Sequence, residues 1–111
     1  MTKIPISLAA AGLLRALLAR ARNVDRDRIL LTAFRSIDWQ SLTFIGERHE
    51  MELRIIGADA PGVADRIADG LQDADLPIPG QFLADIGLQN SPSPNRDGSV
   101  TLHIEALTIA E

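Results

Sequence analysis

The residues best suited to acid–base or metal chemistry in this chain are its two histidines and the carboxylates around them. His103 and Glu105 alternate with apolar residues along Val100-Thr101-Leu102-His103-Ile104-Glu105-Ala106. Period-two alternation marks a strand with one face against a core. Folding that strand onto Phe82–Gln89 so that Ile86 meets Ile104 gathers Ala84, Ile86, Leu88, Val100, Leu102, Ile104 and Ala106 on one side. The same register sets Asp85 opposite Glu105 and Gly87 opposite His103. Like charges directly across a ladder repel unless something neutralises them. A histidine with two carboxylates can hold Zn²⁺, Fe²⁺ or Mn²⁺, and it can also move protons. Asp85, His103 and Glu105 are therefore the candidate catalytic or metal-binding cluster. The plainer reading is a hydrated polar rim in which His103 pairs locally, and it implies no cofactor.

His49 lies on a second alternating segment, His49-Glu50-Met51-Glu52-Leu53-Arg54-Ile55. Gly46-Glu47 suits a two-residue turn with glycine first. That turn pairs Phe44 with His49, Leu42 with Met51 and Trp39 with Arg54. His49 then faces the core as a hydrogen-bonded histidine rather than a ligand. Trp39 beside Arg54 suggests a cation–π pair.

Other chemistry is missing. Gly57-Ala58-Asp59-Ala60-Pro61-Gly62 lacks the spacing and the lysine of a phosphate loop, and its proline removes an amide that a phosphate would use. Neither an H-E-x-x-H helix nor a G-x-S-x-G elbow is present. With no cysteine, the chain has no disulfide, thiolate ligand or cysteine nucleophile.

Charge is uneven along the 111 residues. The first 36 carry seven cationic residues against two acids, while the rest carry four arginines against thirteen acids. A basic arm can bind nucleic acid or an anionic membrane. Four aromatic residues (Trp39, Phe34, Phe44, Phe82) offer little for base stacking, and the acidic body repels phosphate. Nucleic acid is thus not the expected partner, and the basic end is read as neutralising the acidic body. The run Ile4–Leu14 is broken by Arg15, and the small-residue site Ala19-Arg20-Ala21 holds an arginine, which argues against a signal peptide. No stretch reaches the ~20 apolar residues of a membrane span. A cytoplasmic location follows as the expectation. Ten arginines to one lysine, with fifteen alanines, fits a GC-rich bacterial genome.

The length suits one domain, 1–111. Ser7 caps a basic helix over 8–22, in which Gly12 is unfavourable unless a close neighbour needs the gap. Residues 28–35 fit a helix or a strand, with strand favoured by Ile, Leu, Thr and Phe. A hairpin follows over 37–57. Asp59 caps a helix over 60–74 with a stripe of Ala60, Val63, Ala64, Ile67, Ala68, Leu71 and Ala74. Its outer face carries a like-charge column of Asp65, Asp69 and Asp73, read plainly as a solvated face or, more sharply, as meeting arginines of the first helix or of a partner. A second hairpin spans 82–110 with a mobile loop at 90–98.

These elements predict an α+β two-layer sandwich, α-(β)-β-β-α-β-β. Its mainly antiparallel sheet has four or five strands and carries both helices on one face. The uncovered face would then display Trp39, Ile56, Leu83, Leu107 and Ile109, with Ile37, where polar residues are the norm. An exposed apolar patch of this kind points to a partner. The leading expectation is a homodimeric interaction or accessory protein with no recognisable catalytic motif. The alternative is a small-ligand-binding or metal-dependent enzyme using Asp85, His103 and Glu105.

Overall fold

Residues 28–35, open to either reading, lie in a strand almost throughout. In the computed structural model, which describes residues 6–111, Ile29–Gln40 forms one long strand, β1. Its partner β2 runs from Ile45 to Ile55, and three further strands follow: β3 (Gln81–Leu88), β4 (Ser93–Pro94) and β5 (Val100–Ala110). The sheet is antiparallel in the order β1-β2-β5-β3, with the short β4 paired to β5. With helices α1 (Leu8–Ala19) and α2 (Ala60–Ala68), this is the predicted α+β sandwich. The apolar run that begins at Ile4 lies partly outside the described residues.

The core forms where the helices meet the sheet. From α1 come Ala10, Leu13 and Leu17; from α2, Ala60, Val63, Ala64 and Ile67; from the sheet, Met51, Leu53, Ile55, Leu102 and Ile104. Ser7 caps α1 by accepting from the Ala10 amide at 3.1 Å, and its hydroxyl donates to Glu47 Oε1 at 2.9 Å, tying the helix start to β2. Gly12 has the close neighbour that excuses it: a Cβ there would stand 2.9 Å from Ile78 Cγ2. The two helix ends cap each other. Arg20 Nε donates to the Ile67 carbonyl at 2.8 Å and its guanidinium also meets the Asp69 carbonyl, while Arg66 Nε donates to the Ala21 carbonyl at 3.0 Å. Cations at helix C-termini satisfy orphan carbonyls and oppose the negative end of the dipole.

Four expectations need correction. The second helix does not reach residue 74: Gly70 takes a left-handed conformation (φ 63°), and Leu71–Asp73 continues as a 3₁₀ turn that still buries Leu71. That break also interrupts the Asp65-Asp69-Asp73 column. The first helix ends at Ala19 rather than Arg22, because Arg22 and Asn23 both have positive φ. Asp59 makes no side-chain cap to α2, which begins through its carbonyl instead.

The fourth correction is the first hairpin. Its turn lies at Ser41–Phe44, not at Gly46-Glu47, and the register pairs Trp39 with Gly46, Ser36 with His49 and Phe34 with Met51. Ser41 closes the turn: its amide donates to the Phe44 carbonyl at 2.9 Å, and its hydroxyl accepts from the Phe44 amide at 3.1 Å. Gly46 serves the middle of the sheet instead. A Cβ there would lie 2.1 Å from the Thr108 carbonyl oxygen, so only glycine lets β2 and β5 approach this closely.

Candidate interaction surface

On the sheet face away from the helices, alternate residues of each strand stand in rows across the ladder. One end of this face is charged. Arg35 pairs with Glu50, Glu50 with Glu105, and Glu52 with His103. Glu50 and Glu105 are like charges in direct opposition, an arrangement that costs stability if uncompensated. Compensation comes from Arg48, whose guanidinium is 3.6 Å from Glu105 Oε1, and from Gln89, which donates to Glu105 Oε2 at 2.9 Å. His103 Nε2 is 3.6 Å from Glu52 Oε2, which also accepts the Thr32 hydroxyl through its other oxygen at 2.8 Å. Arg35, Glu50, Glu52, Gln89 and His103 border a shallow depression of about 180 Å³.

The expected Asp85/His103/Glu105 cluster is not assembled. Residues 85–88 pair with β5 two residues away from the expected register, so that Asp85 faces Leu107, Gly87 faces Glu105 and Ile86 meets Ala106 rather than Ile104, and a bulge separates them from Gln81–Leu83. The bulge reaims Leu83 onto the core, and this extra residue is what an unbroken period-two reading of Phe82–Gln89 cannot contain. Ala84, expected in the core, is exposed. Among the described residues, no three histidine or carboxylate side chains converge as metal ligands. Arg54 also stands apart from Trp39, so the expected cation–π pair is absent. Arg54 instead pairs with Asp97 and donates to Ser99 Oγ at 3.1 Å. Hydrogen bonds from the Ser99 hydroxyl and amide, with Arg54 assisting, hold the Asp97 carboxyl at about 2.

His49 faces the core as expected, but among different neighbours. Its Nδ1 is 2.8 Å from Ser36 Oγ on β1 and its Nε2 is 2.8 Å from Thr108 Oγ1 on β5. The ring is fully buried, and desolvation lowers its pKa against a smaller opposing pull from Glu47. With both nitrogens engaged by hydroxyls, this is a satisfied core histidine that ties three strands together.

The other end of the face is richer in apolar residues. One row holds Trp39, Gly46, Ile109 and Phe82, and the next holds Ile37 and Leu107 with Arg48 between them and Asp85 at its edge. Trp39 lies opposite Gly46, whose missing side chain leaves its row open. Of the expected interface residues, Trp39, Leu107 and Ile109 are half-buried on this face. Leu83 has turned inward, and Ile56 lies just past the end of β2, its amide bonded to the Arg28 carbonyl. Sequence reasoning missed the hairpin tip. Of the seven large exposed apolar side chains among the described residues, five (Leu30, Ile37, Leu42, Phe44 and Ile45) belong to β1, its turn or the first residue of β2. Leu42 is fully exposed and Ile45 is 69% exposed. The signal was present in Leu42-Thr43-Phe44-Ile45, an apolar run that a turn at Gly46 assigned to a strand.

On the helix side, a broad cleft is lined by Arg20, Arg66, Asp65, Asp69 and Asp75. Of the three arginines lining the cleft, Arg20, Arg22 and Arg66, the first and last are committed to backbone carbonyls. No helix among the described residues is long and apolar enough to cross a membrane. No protein family, curated protein or solved structure matches this chain.

Proposed function

We propose that this chain acts by self-association, as a homodimeric interaction or accessory domain whose contact surface is the apolar end of the sheet. One observation carries the reading: exposed Ile37, Phe44 and Phe82 share one end of the uncovered sheet face with half-buried Trp39, Leu107 and Ile109. Exposed apolar area of this kind is stabilised by a partner, and one self-complementary patch suffices for a two-fold dimer. The charged end supports the same assignment by contrast. There, Glu105 is met by Arg48 and Gln89 and Glu52 by His103 within the chain. Asp85 pairs with Leu107 rather than with Glu105, and among the described residues no three histidine or carboxylate groups converge as metal ligands.

Sedimentation at micromolar concentration tests this. Wild type is expected to sediment as two chains, and Leu107→Glu combined with Ile109→Glu as a folded single chain if the sheet face is the contact. A wild-type protein that sediments as one chain across that range overturns the reading.

A further inference from the structure

We propose that the second copy docks edge to edge along β1, antiparallel, with the two-fold axis passing through Ile37. This inference rests on the self-association reading and moves the contact from the sheet face to its β1 edge, where Ile37 and Trp39 lie, leaving Leu107 and Ile109 of β5 outside it.

The two edges of the sheet differ. On the β3 side, the 3₁₀ turn Leu71–Asp73 packs against the strand, with Gln72 Cγ 3.7 Å from where a Gly87 Cβ would stand, and the bulge at Ala84 kinks the edge. β1 ends the strand order on the other side, and beyond its bulge at Thr32 it runs regularly from Ala33 to Gln40. An open, regular edge of this length presents unpaired amides and carbonyls to another strand.

The hairpin closure fixes which groups these are. Ser41 and Phe44 form a hydrogen-bonded pair, and pairs along an antiparallel ladder alternate. Trp39, Ile37 and Arg35 therefore direct their backbone groups at β2. Gln40, Asp38, Ser36 and Phe34 direct theirs outward.

A two-fold antiparallel pairing must be centred on a residue or leave the faces mismatched, which allows only a few registers. Centring on Asp38 sets two carboxylates against each other. Centring on Ser36 opposes Phe34 to the partner's Asp38 and Arg35 to the partner's Ile37. Centring on Ile37 gives favourable pairs on both faces. On the outer face, Ile37 meets the partner's Ile37, flanked on each side by Arg35 against the partner's Trp39, an apolar contact between two cation–π pairs. On the inner face, the Ser36 hydroxyl faces the partner's Asp38 and Phe34 faces the partner's Gln40. The outward groups of Phe34, Ser36, Asp38 and Gln40 then exchange about eight backbone hydrogen bonds between copies. This register also brings Leu42 at the hairpin tip beside the start of the partner's β1, where Leu30 is exposed.

A cysteine-free chain makes the register directly readable. Residues facing each other at the axis as a non-hydrogen-bonded pair have Cα atoms about 4.5 Å apart, within disulfide range. Two residues at position 35 would be four steps apart, about 13 Å, and out of range. Under mild oxidation, Ile37→Cys is expected to give a covalent dimer and Arg35→Cys to remain single. Asp38→Pro removes an amide that points away from β2, so the hairpin is retained and the mass is expected to fall from two chains to one. Failure of Ile37→Cys to cross-link while wild type sediments as a dimer overturns the edge geometry. Cross-linking of Arg35→Cys as readily as Ile37→Cys does the same. A dimer split by Leu107→Glu but untouched by Asp38→Pro places the contact on the sheet face, overturning the edge and leaving the self-association reading intact. A wild-type single chain overturns both.

Discussion

At the residue scale, His49 is the clearest case of a chemically capable side chain used for architecture. Burial favours its neutral form, because the charged imidazolium would lose its hydration, and the Ser36 and Thr108 hydroxyls satisfy both ring nitrogens. A base whose folded pKa lies below its unfolded value binds more protons when unfolded. Stability is therefore complete above the unfolded value of 6.5 and is lost as pH falls below it. Each unit of pH in that window is expected to remove up to about 1.4 kcal/mol. Thermal melts from pH 7.5 to 5 should show a falling Tm in wild type and a flatter profile in His49→Gln, whatever the absolute stability of that variant. The inward direction of His49 is legible from the alternation of residues 49–55. Its partners are not, because they come from two other strands whose registers depend on a turn and a bulge.

At the element scale, the first hairpin shows how one glycine can mislead. Gly46 followed by a charged residue satisfies the chemistry of a tight turn. It also satisfies a position in mid-sheet where two backbones approach, and the Thr108 carbonyl 2.1 Å from its absent Cβ identifies that use. Gly46→Ala should cost about 2–3 kcal/mol or more in a urea titration, since the obstructing atom is backbone and cannot rotate away. Gly87→Ala, with its nearest atom the flexible Gln72 side chain at 3.7 Å, should change stability little. Moving the turn to Ser41–Phe44 lengthens β1 to Gln40, leaves Leu42 and Phe44 exposed at the tip, and transfers Trp39 from beside Arg54 to beside Gly46. The second helix fails more simply. Its stripe is periodic through Ala74, but Gly70 accepts a left-handed conformation at little cost and ends the helix early while Leu71 still reaches the core.

At the scale of the whole molecule, self-association makes stability a function of concentration. A dimer that unfolds to single chains gains in Tm as protein concentration rises. Wild type is expected to show that rise between low and high micromolar concentration, and Asp38→Pro to lose it. The sequence by itself determined the class of fold, the strands at 49–55 and 100–106, the cores of both helices and the absence of thiol or phosphate-loop chemistry, while 28–35 stayed open between helix and strand. Those features follow from periodicity and residue type, which are local properties of the chain. Only the tertiary structure decided that Asp85 stands opposite Leu107 rather than Glu105, that Leu83 faces inward, and that the exposed apolar residues concentrate on one hairpin. A single bulged residue or a turn moved by a few positions reassigns every cross-strand neighbour while leaving each strand's own alternation unchanged.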